Sequence, residues 1–202
     1  MTMEVKERII KKATEMFFRY GVKSVTMDDI SRELGISKKT LYLHFADKDE
    51  LVYQMFSCEM ENDECQWNDL QVAYPNVIER LLKENELMRD SFKDMNPSLL
   101  HDIKRFHPRT WDSFEQHKKG FLLEQAKLTL QEGIKEEYFR ADIEIDILAV
   151  LRIEQIELGF STHLFPANTS ILDIQLIFMD HFIRGILTKK GLEIYEHFKN
   201  KQ

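Results

Sequence analysis

The chain has 202 residues, 43% hydrophobic and 31% charged, a balance that excludes general disorder. Only 7 Gly and 4 Pro interrupt it, and no apolar run approaches the roughly 18 to 20 residues of a membrane span. The net charge of −7 is uneven: residues 1–48 hold ten Lys/Arg against seven Asp/Glu (+3), and residues 49–202 hold 18 against 28 (−10).

Such asymmetry predicts a polyanion-facing N-terminal part and another task for the acidic remainder; varying charge on helix faces is the plainer alternative. The opening MTMEVKERIIKK breaks any apolar core with charge, so no secretory signal is visible and a cytoplasmic location is expected. Val5, Ile9, Ala13, Phe17 and Tyr20 recur at helical spacing, and Gly21 stands at a C-cap position, which predicts a helix over 3–20. Thr26 with Asp29 three residues on resembles a capping box, opening a short helix whose inward side is Ile30 and Leu34 and which Gly35 ends. Ser37 is an N-cap for a third helix over 38–45.

Asp47 with Glu50 repeats the cap pattern and opens a longer fourth helix carrying both cysteines, Cys58 and Cys65. Seven residues of helix separate them by about 10 Å, beyond the ~7 Å limit of a disulfide, so two buried thiols on one face are expected. The break QVAYPN precedes a helix over 75–95, and a short helix follows over 97–106. A long helix over 109–137 leads to two strongly apolar ones, over 143–165 and 171–189, and a last over 192–199. Alternation in EIDIL merges into a helical stripe, so no strand is predicted. The chain reads as all-α, with nine or ten helices and no repeats.

Three short helices with a tight glycine turn between the second and third make a helix-turn-helix. In the third helix Leu41 and Phe45 lie four apart and form the inward pair, packing on Phe17, Ile30, Leu34 and Ile36. At 100° per residue, Lys39 and Leu43 each fall about 160° from Leu41 and point outward. Lys38 and Tyr42 flank that line on one side, Thr40 and His44 on the other. Such a face suits double-stranded DNA: Lys39 can donate to guanine O6/N7 and Leu43 can meet a thymine methyl. Thr40, Tyr42 and His44 suit phosphate or sugar oxygens, which set register. Backbone N–H groups at the N-terminus of helix two, capped by Thr26, and of helix four, bearing Lys48 at its first position, also suit phosphates, and Ser37 is counted with the DNA-binding residues.

These residues carry a resemblance. The run TMDDISRELGISKKTLYLHFADKDEL, from Thr26 to Leu51, strongly resembles the DNA-binding motif of the TetR family of bacterial transcriptional regulators. The matching features are the Thr start, Ile30, the Gly-Ile-Ser turn, Thr40-Leu41-Tyr42, Phe45, and Lys48 followed by an acidic residue and Leu51. Ala13, Phe17 and Gly21 extend it over about the first 50 residues. Lys39 departs from it, since many relatives carry a small residue there. Further on, only a connector built on Gly133, Ile134, Tyr138, Phe139, Arg140 and Asp142 is similar.

The resemblance implies a helix-turn-helix DNA-binding head over 1–47 and a larger helical ligand-binding and dimerisation domain over 48–202. It implies a homodimer that binds a palindromic operator, with repression relieved by a small hydrophobic or aromatic ligand. The interface it implies lies on the two apolar helices: Ile147, Val150, Leu151, Glu154, Leu158 and Ser161 on one, and Ile171, Ile174, Phe178, His181, Phe182 and Gly185 on the other. Candidates to line the ligand pocket, chosen for aromatic bulk, are Trp67, Phe92, Phe106, His107, Trp111, Phe114 and Phe121.

The seven histidines are scattered without metal-ligand spacing, so no metal or other cofactor is expected. The chain has no Gly-rich phosphate loop, no Gly-x-Ser-x-Gly elbow and no HExxH, so no catalytic site is predicted. The competing reading is a helical small-molecule-binding or enzymatic protein whose basic head contacts a protein partner.

Overall fold

A computed structural model describes residues 2–200 of the chain. Among them there are eleven α-helical segments, two of which run on as one helix, and no strand beyond one isolated antiparallel bridge between Phe139 and Leu187. The helices are α1 Thr2–Tyr20, α2 Met27–Leu34, α3 Lys38–His44, α4 Lys48–Ala73, α5 Val77–Phe92, α6 Leu99–Phe106, α7 Pro108–His117, α8 Leu123–Lys135, α9 Ile145–Phe160, α10 Ile171–Ile186 and α11 Lys189–Lys199. A π turn, Lys118–Leu122, joins α7 and α8 into one continuous helix.

Several ends fall where local hydrogen bonds dictate. The Asn76 side chain accepts from the N–H groups of Ile78 and Glu79 at 3.0 and 3.1 Å, so α5 begins at Val77 rather than 75. α9 stops at Phe160, short of 165, and gives way to a 3-10 turn over Thr162–Leu164. α10 ends at Ile186 rather than 189, because Leu187 turns extended to pair with the segment at Phe139. Thr188 then caps α11, its hydroxyl accepting from the N–H of Gly191 at 3.0 Å, which starts that helix three residues before the expected 192.

The cysteines correct another expectation. Cys58 and Cys65 share a face of α4, but that face is exposed. α4 turns Leu51, Val52, Met55 and Phe56 inward, and the thiols lie off that side.

The chain divides into two compact units. The first holds the residues up to Asp63 together with Asp94–Gln116. Its core joins Ile9, Ala13 and Phe17 of α1 to Ile30 of α2, Leu41 of α3, Leu51 and Met55 of α4, and Leu99, Leu100 and Ile103 of α6. The turn after α1 is tied to α6: Asp102 accepts from the N–H of Lys23 at 3.0 Å, and the N–H of Asn96 donates to the carbonyl of Phe18 at 2.6 Å.

The second unit holds Glu64–Lys93 and His117–Gln202. Val77, Ile78, Leu81, Leu82, Leu130, Phe139, Met179, Ile183, Ile186 and Tyr195 form one core. It packs tightly at Gly133, where a Cβ would lie 2.1 Å from the Phe139 ring. The N–H groups of Tyr138 and Phe139 both donate to the Gly133 carbonyl at 2.9 Å, so the connector folds back onto α8 and buries Phe139. That burial contributes about 1.5–3 kcal/mol. Gln175 of α10, also buried, donates to the Ile156 carbonyl of α9 at 2.9 Å.

Candidate functional site

α2 and α3 are short, so their end groups matter more than their interiors. Thr26 and Asp29 form a full capping box: the Asp29 N–H donates to Thr26 Oγ1 at 3.2 Å, and the Thr26 N–H to Asp29 Oδ2 at 3.0 Å. The Thr26 side chain and backbone bonds hold the Asp29 carboxyl below its usual range. Gly35 ends α2 with φ of 63°, and the N–H groups of Gly35 and Ile36 donate to the carbonyls of Arg32 and Ser31. This left-handed cap turns the chain sharply enough for α3 to begin three residues later. Ser37 caps α3, accepting from the Thr40 N–H at 3.0 Å and sharing a 2.8 Å hydrogen bond with the Thr40 hydroxyl.

With both ends fixed, the rotation of α3 follows from its buried pair. Leu41 and Phe45 are fully buried, together with Phe17 and Ile30, while Leu34 and Ile36 are half-buried. Lys38, Lys39, Tyr42 and Leu43 stand outward, Leu43 with 75% of its surface exposed, and Thr40 and His44 are half-buried beside them. The expected inward pair and outward face of α3 are both present.

Two lysines are engaged within the unit. Lys38 forms an ion pair with Asp28. Lys48 donates to the Val22 carbonyl at 2.6 Å and lies 5.7 Å from the centre of the Phe17 ring. Burial lowers its pKa, against the opposing pull of Asp102 and Asp29.

In the second unit, residues of α4, α5, α8, α9 and α10 surround a cavity of about 200 Å³. Most of its wall is apolar, including Trp67, Leu81, Leu130, Ile153, Met179 and Phe182. Four polar residues also line it: Glu84, Gln125, Thr129 and Arg152. Glu84 Oε1, Thr129 Oγ1 and Arg152 Nη1 are sealed from solvent and find no hydrogen-bond partner among the described residues. A buried polar atom left so costs about 1–3 kcal/mol. Burial pushes the Glu84 carboxyl up to about 7, against the pull of Arg152 and Arg80. Burial likewise lowers the pKa of Arg152.

Of the seven aromatic candidates, Trp67 lines this cavity. Phe92 meets Phe160 edge-on at 5.8 Å, and Phe121 stacks on His117 at 5.3 Å. In the first unit, Phe106 is exposed, His107 Nδ1 lies 2.6 Å from Asp49 Oδ1, and Trp111 packs on Phe114 at 5.5 Å. Aromatic bulk therefore pointed mostly to packing partners. Arg152 was the better signal, a permanent charge inside the apolar run ILAVLRIEQI.

On α9, Ile147, Val150, Leu151 and Leu158 form an exposed apolar stripe, Ile147 with 66% of its surface free. Glu154 within that stripe is exposed and pairs with the buried Lys118 at 3.3 Å, and Ser161 is half-buried. On α10, His181 and Gly185 are exposed, Phe178 is half-buried against Phe165, and Phe182 lines the cavity. Ile171 and Ile174 are only 3% exposed and belong to the chain's own core. Ile177, unremarked in the sequence, is 63% exposed on α10.

Among the described residues, no group of three or more His, Cys, Asp or Glu could hold a metal ion, and no helix is long and apolar enough to cross a membrane.

A capped helix-turn-helix leading an all-α chain defines the class to which known proteins can be compared. Residues 9–55 match the family described as "Bacterial regulatory proteins, tetR family", and this N-terminal segment is the part of the chain that carries the TetR-family match. It is 30% identical over 102 residues to the HTH-type transcriptional regulator SAB2452 of Staphylococcus aureus (strain bovine RF122 / ET3-1), covering 50% of this chain and 55% of that one. It is 26% identical over 146 residues to the HTH-type transcriptional repressor KstR2 of Mycobacterium tuberculosis, covering 69% and 72%. The match thus spans little more than half the length of the Staphylococcus relative. In fold, the chain is similar to a TetR-family regulator from Agrobacterium tumefaciens, with a TM-score of 0.77 at 17% identity over 93% of this chain and 100% of that one. The structure of KstR2 is similar with a TM-score of 0.60 at 21% identity, over 91% and 95%.

Proposed function

We propose that the protein is a DNA-binding transcriptional regulator, a cytoplasmic homodimer that represses from a palindromic operator and is released by a small ligand. One observation carries this reading: α3 is held at both ends and in rotation while presenting Lys39, Tyr42 and Leu43 outward. A seven-residue helix fixed in this way can enter a major groove with little further ordering. Lys39 and Leu43 are assigned to base edges. Ser37, Lys38, Thr40, Tyr42 and His44, with the N–H groups behind Thr26, are assigned to the phosphate backbone. Lys48 reaches a phosphate only by leaving the Val22 carbonyl, so its resting role is to hold α4 against the loop after α1.

Residues 1–47 serve as the reading head, and residues 48–202 serve ligand and partner. The exposed stripe on α9, joined by Ile177, His181 and Gly185 of α10, is the surface proposed to meet a second copy. At Gly185 nothing lies within 4 Å of where a Cβ would stand, which leaves room for close helix approach. The cavity is the ligand site, and release follows if the ligand binds the DNA-incompetent state more tightly. No catalytic step is proposed.

Duplex-DNA binding measured over a salt series tests the reading. Six to ten phosphate contacts lose about 10³ to 10⁵ in affinity between 50 and 200 mM salt. Weak binding that is flat with salt would sink it and favour a protein partner for the basic head.

A further inference from the structure

We propose that the cavity of the second unit takes a small, mainly apolar acid, whose carboxylate is held by Arg152, Thr129 and Glu84. The inference names the class of ligand for the proposed regulator and rests on that reading.

The choice of an acid follows from which groups can change their charge. A guanidinium keeps its proton under all ordinary conditions, so Arg152 places a fixed positive charge against apolar walls. Glu84 lines the same cavity without a hydrogen bond or ion pair to Arg152, and each keeps an unpartnered atom. A carboxylate gives Arg152 Nη1 and the Thr129 hydroxyl the acceptor they lack. Glu84 completes the set as a protonated acid, donating to the ligand's second oxygen. A cation fails here, because it would share the cavity with Arg152. A neutral ligand leaves the guanidinium unmatched.

Other charged groups around Glu84 do not remove the demand. Arg80, one turn back on α5, is taken by Glu132 and the Tyr74 carbonyl. α8 presents Gln125 and Thr129, while α4 and α10 bring only Trp67, Met179, Phe182 and Ile186 to the cavity. The volume limits the rest of the ligand. An apolar cavity of about 150 Å³ holds one benzene, so about 200 Å³ fits one ring or a short acyl chain bearing one carboxylate.

The test is calorimetric titration of the full chain with benzoate, phenylacetate and hexanoate, beside phenylacetamide and phenethylamine as neutral and cationic counterparts. At least one acid is expected to bind, and its amide or amine counterpart at least tenfold more weakly. Arg152→Gln should lose that acid at least tenfold, and Arg152→Lys less. From pH 6 to 8.5 the affinity should fall about tenfold or more as Glu84 gives up its proton, and Glu84→Gln should flatten that dependence. The inference is overturned if no acid of the panel binds, if the amide or amine binds as well, or if Arg152→Gln binds the acid unchanged. Since the titration contains no DNA, failure here with salt-dependent DNA binding intact removes the acid alone. An acid that binds a chain with no affinity for DNA removes the regulator reading instead.

Discussion

α3 and the cavity treat their polar groups in opposite ways. On α3, Lys39, Tyr42 and Leu43 stand in water, while stability comes from Leu41 and Phe45 beneath and from the caps at either end. In the second unit, Glu84, Thr129 and Arg152 keep polar atoms sealed and unmatched among apolar side chains. A surface site of the first kind can change its chemistry with little effect on folding. An interior site of the second kind draws on the stability of the unit that holds it, and a matching ligand returns part of that stability.

Substitutions can separate these two designs. Leu41→Ala removes the buried anchor of α3 and should destabilise the protein by about 2–5 kcal/mol, read from urea or thermal unfolding. If stability is unchanged, the rotation of α3 is not set by its buried side. Glu84→Gln probes the interior design through pH. The folded chain holds a proton on Glu84 up to about pH 7, whereas an unfolded chain releases it near 4.3. The folded state therefore binds more protons in that window, and stability falls as pH rises through it, by up to about 3 kcal/mol. Arg80 and Arg152 face the carboxyl and oppose the shift. Melting curves from pH 4 to 8 should show this slope in the wild type and a flatter one in Glu84→Gln.

Lys39→Ala should leave stability within about 0.5 kcal/mol. It should alter discrimination at one base position by about 1–3 kcal/mol, seen in a selection from randomised duplexes. A uniform loss across sequences would reassign Lys39 to the phosphate backbone. The smallest effect expected is that of Thr26→Ala, which removes half of the capping box and should lower stability by about 1 kcal/mol. A larger loss of DNA affinity than of stability would show that the start of α2 also serves the nucleic acid.

The same contrast explains what could be read from sequence. The head was legible because its decisive relations are local: Thr26 to Asp29, Gly35 to Ser31, and Leu41 to Phe45 all lie within one turn or cap. The cavity was not, because Trp67, Glu84, Thr129, Arg152 and Phe182 come from five helices spread over more than a hundred residues. Bulk marked Phe92 and Phe121 as readily as Trp67, yet the first two pack on Phe160 and His117. The apolar pattern of α10 likewise could not tell the exposed Ile177 from the buried Ile171 and Ile174, since each lies in a stripe that continues around the helix. For Cys58 and Cys65, helical spacing gave the shared face but not its side.

The ion pair between Lys38 and Asp28 bears on how DNA binding would be measured. In polyelectrolyte terms, Asp28 is a counterion that the protein carries on its own chain. A phosphate that takes Lys38 exchanges one bound anion for another and leaves Asp28 facing the duplex. On the proposed reading, the salt slope per subunit falls about one short of the number of lysines at the interface. Asp28→Asn restores that missing unit and raises affinity at low salt. On that reading, the acidity of this chain reaches into its basic head and acts as a built-in brake on nonspecific DNA binding.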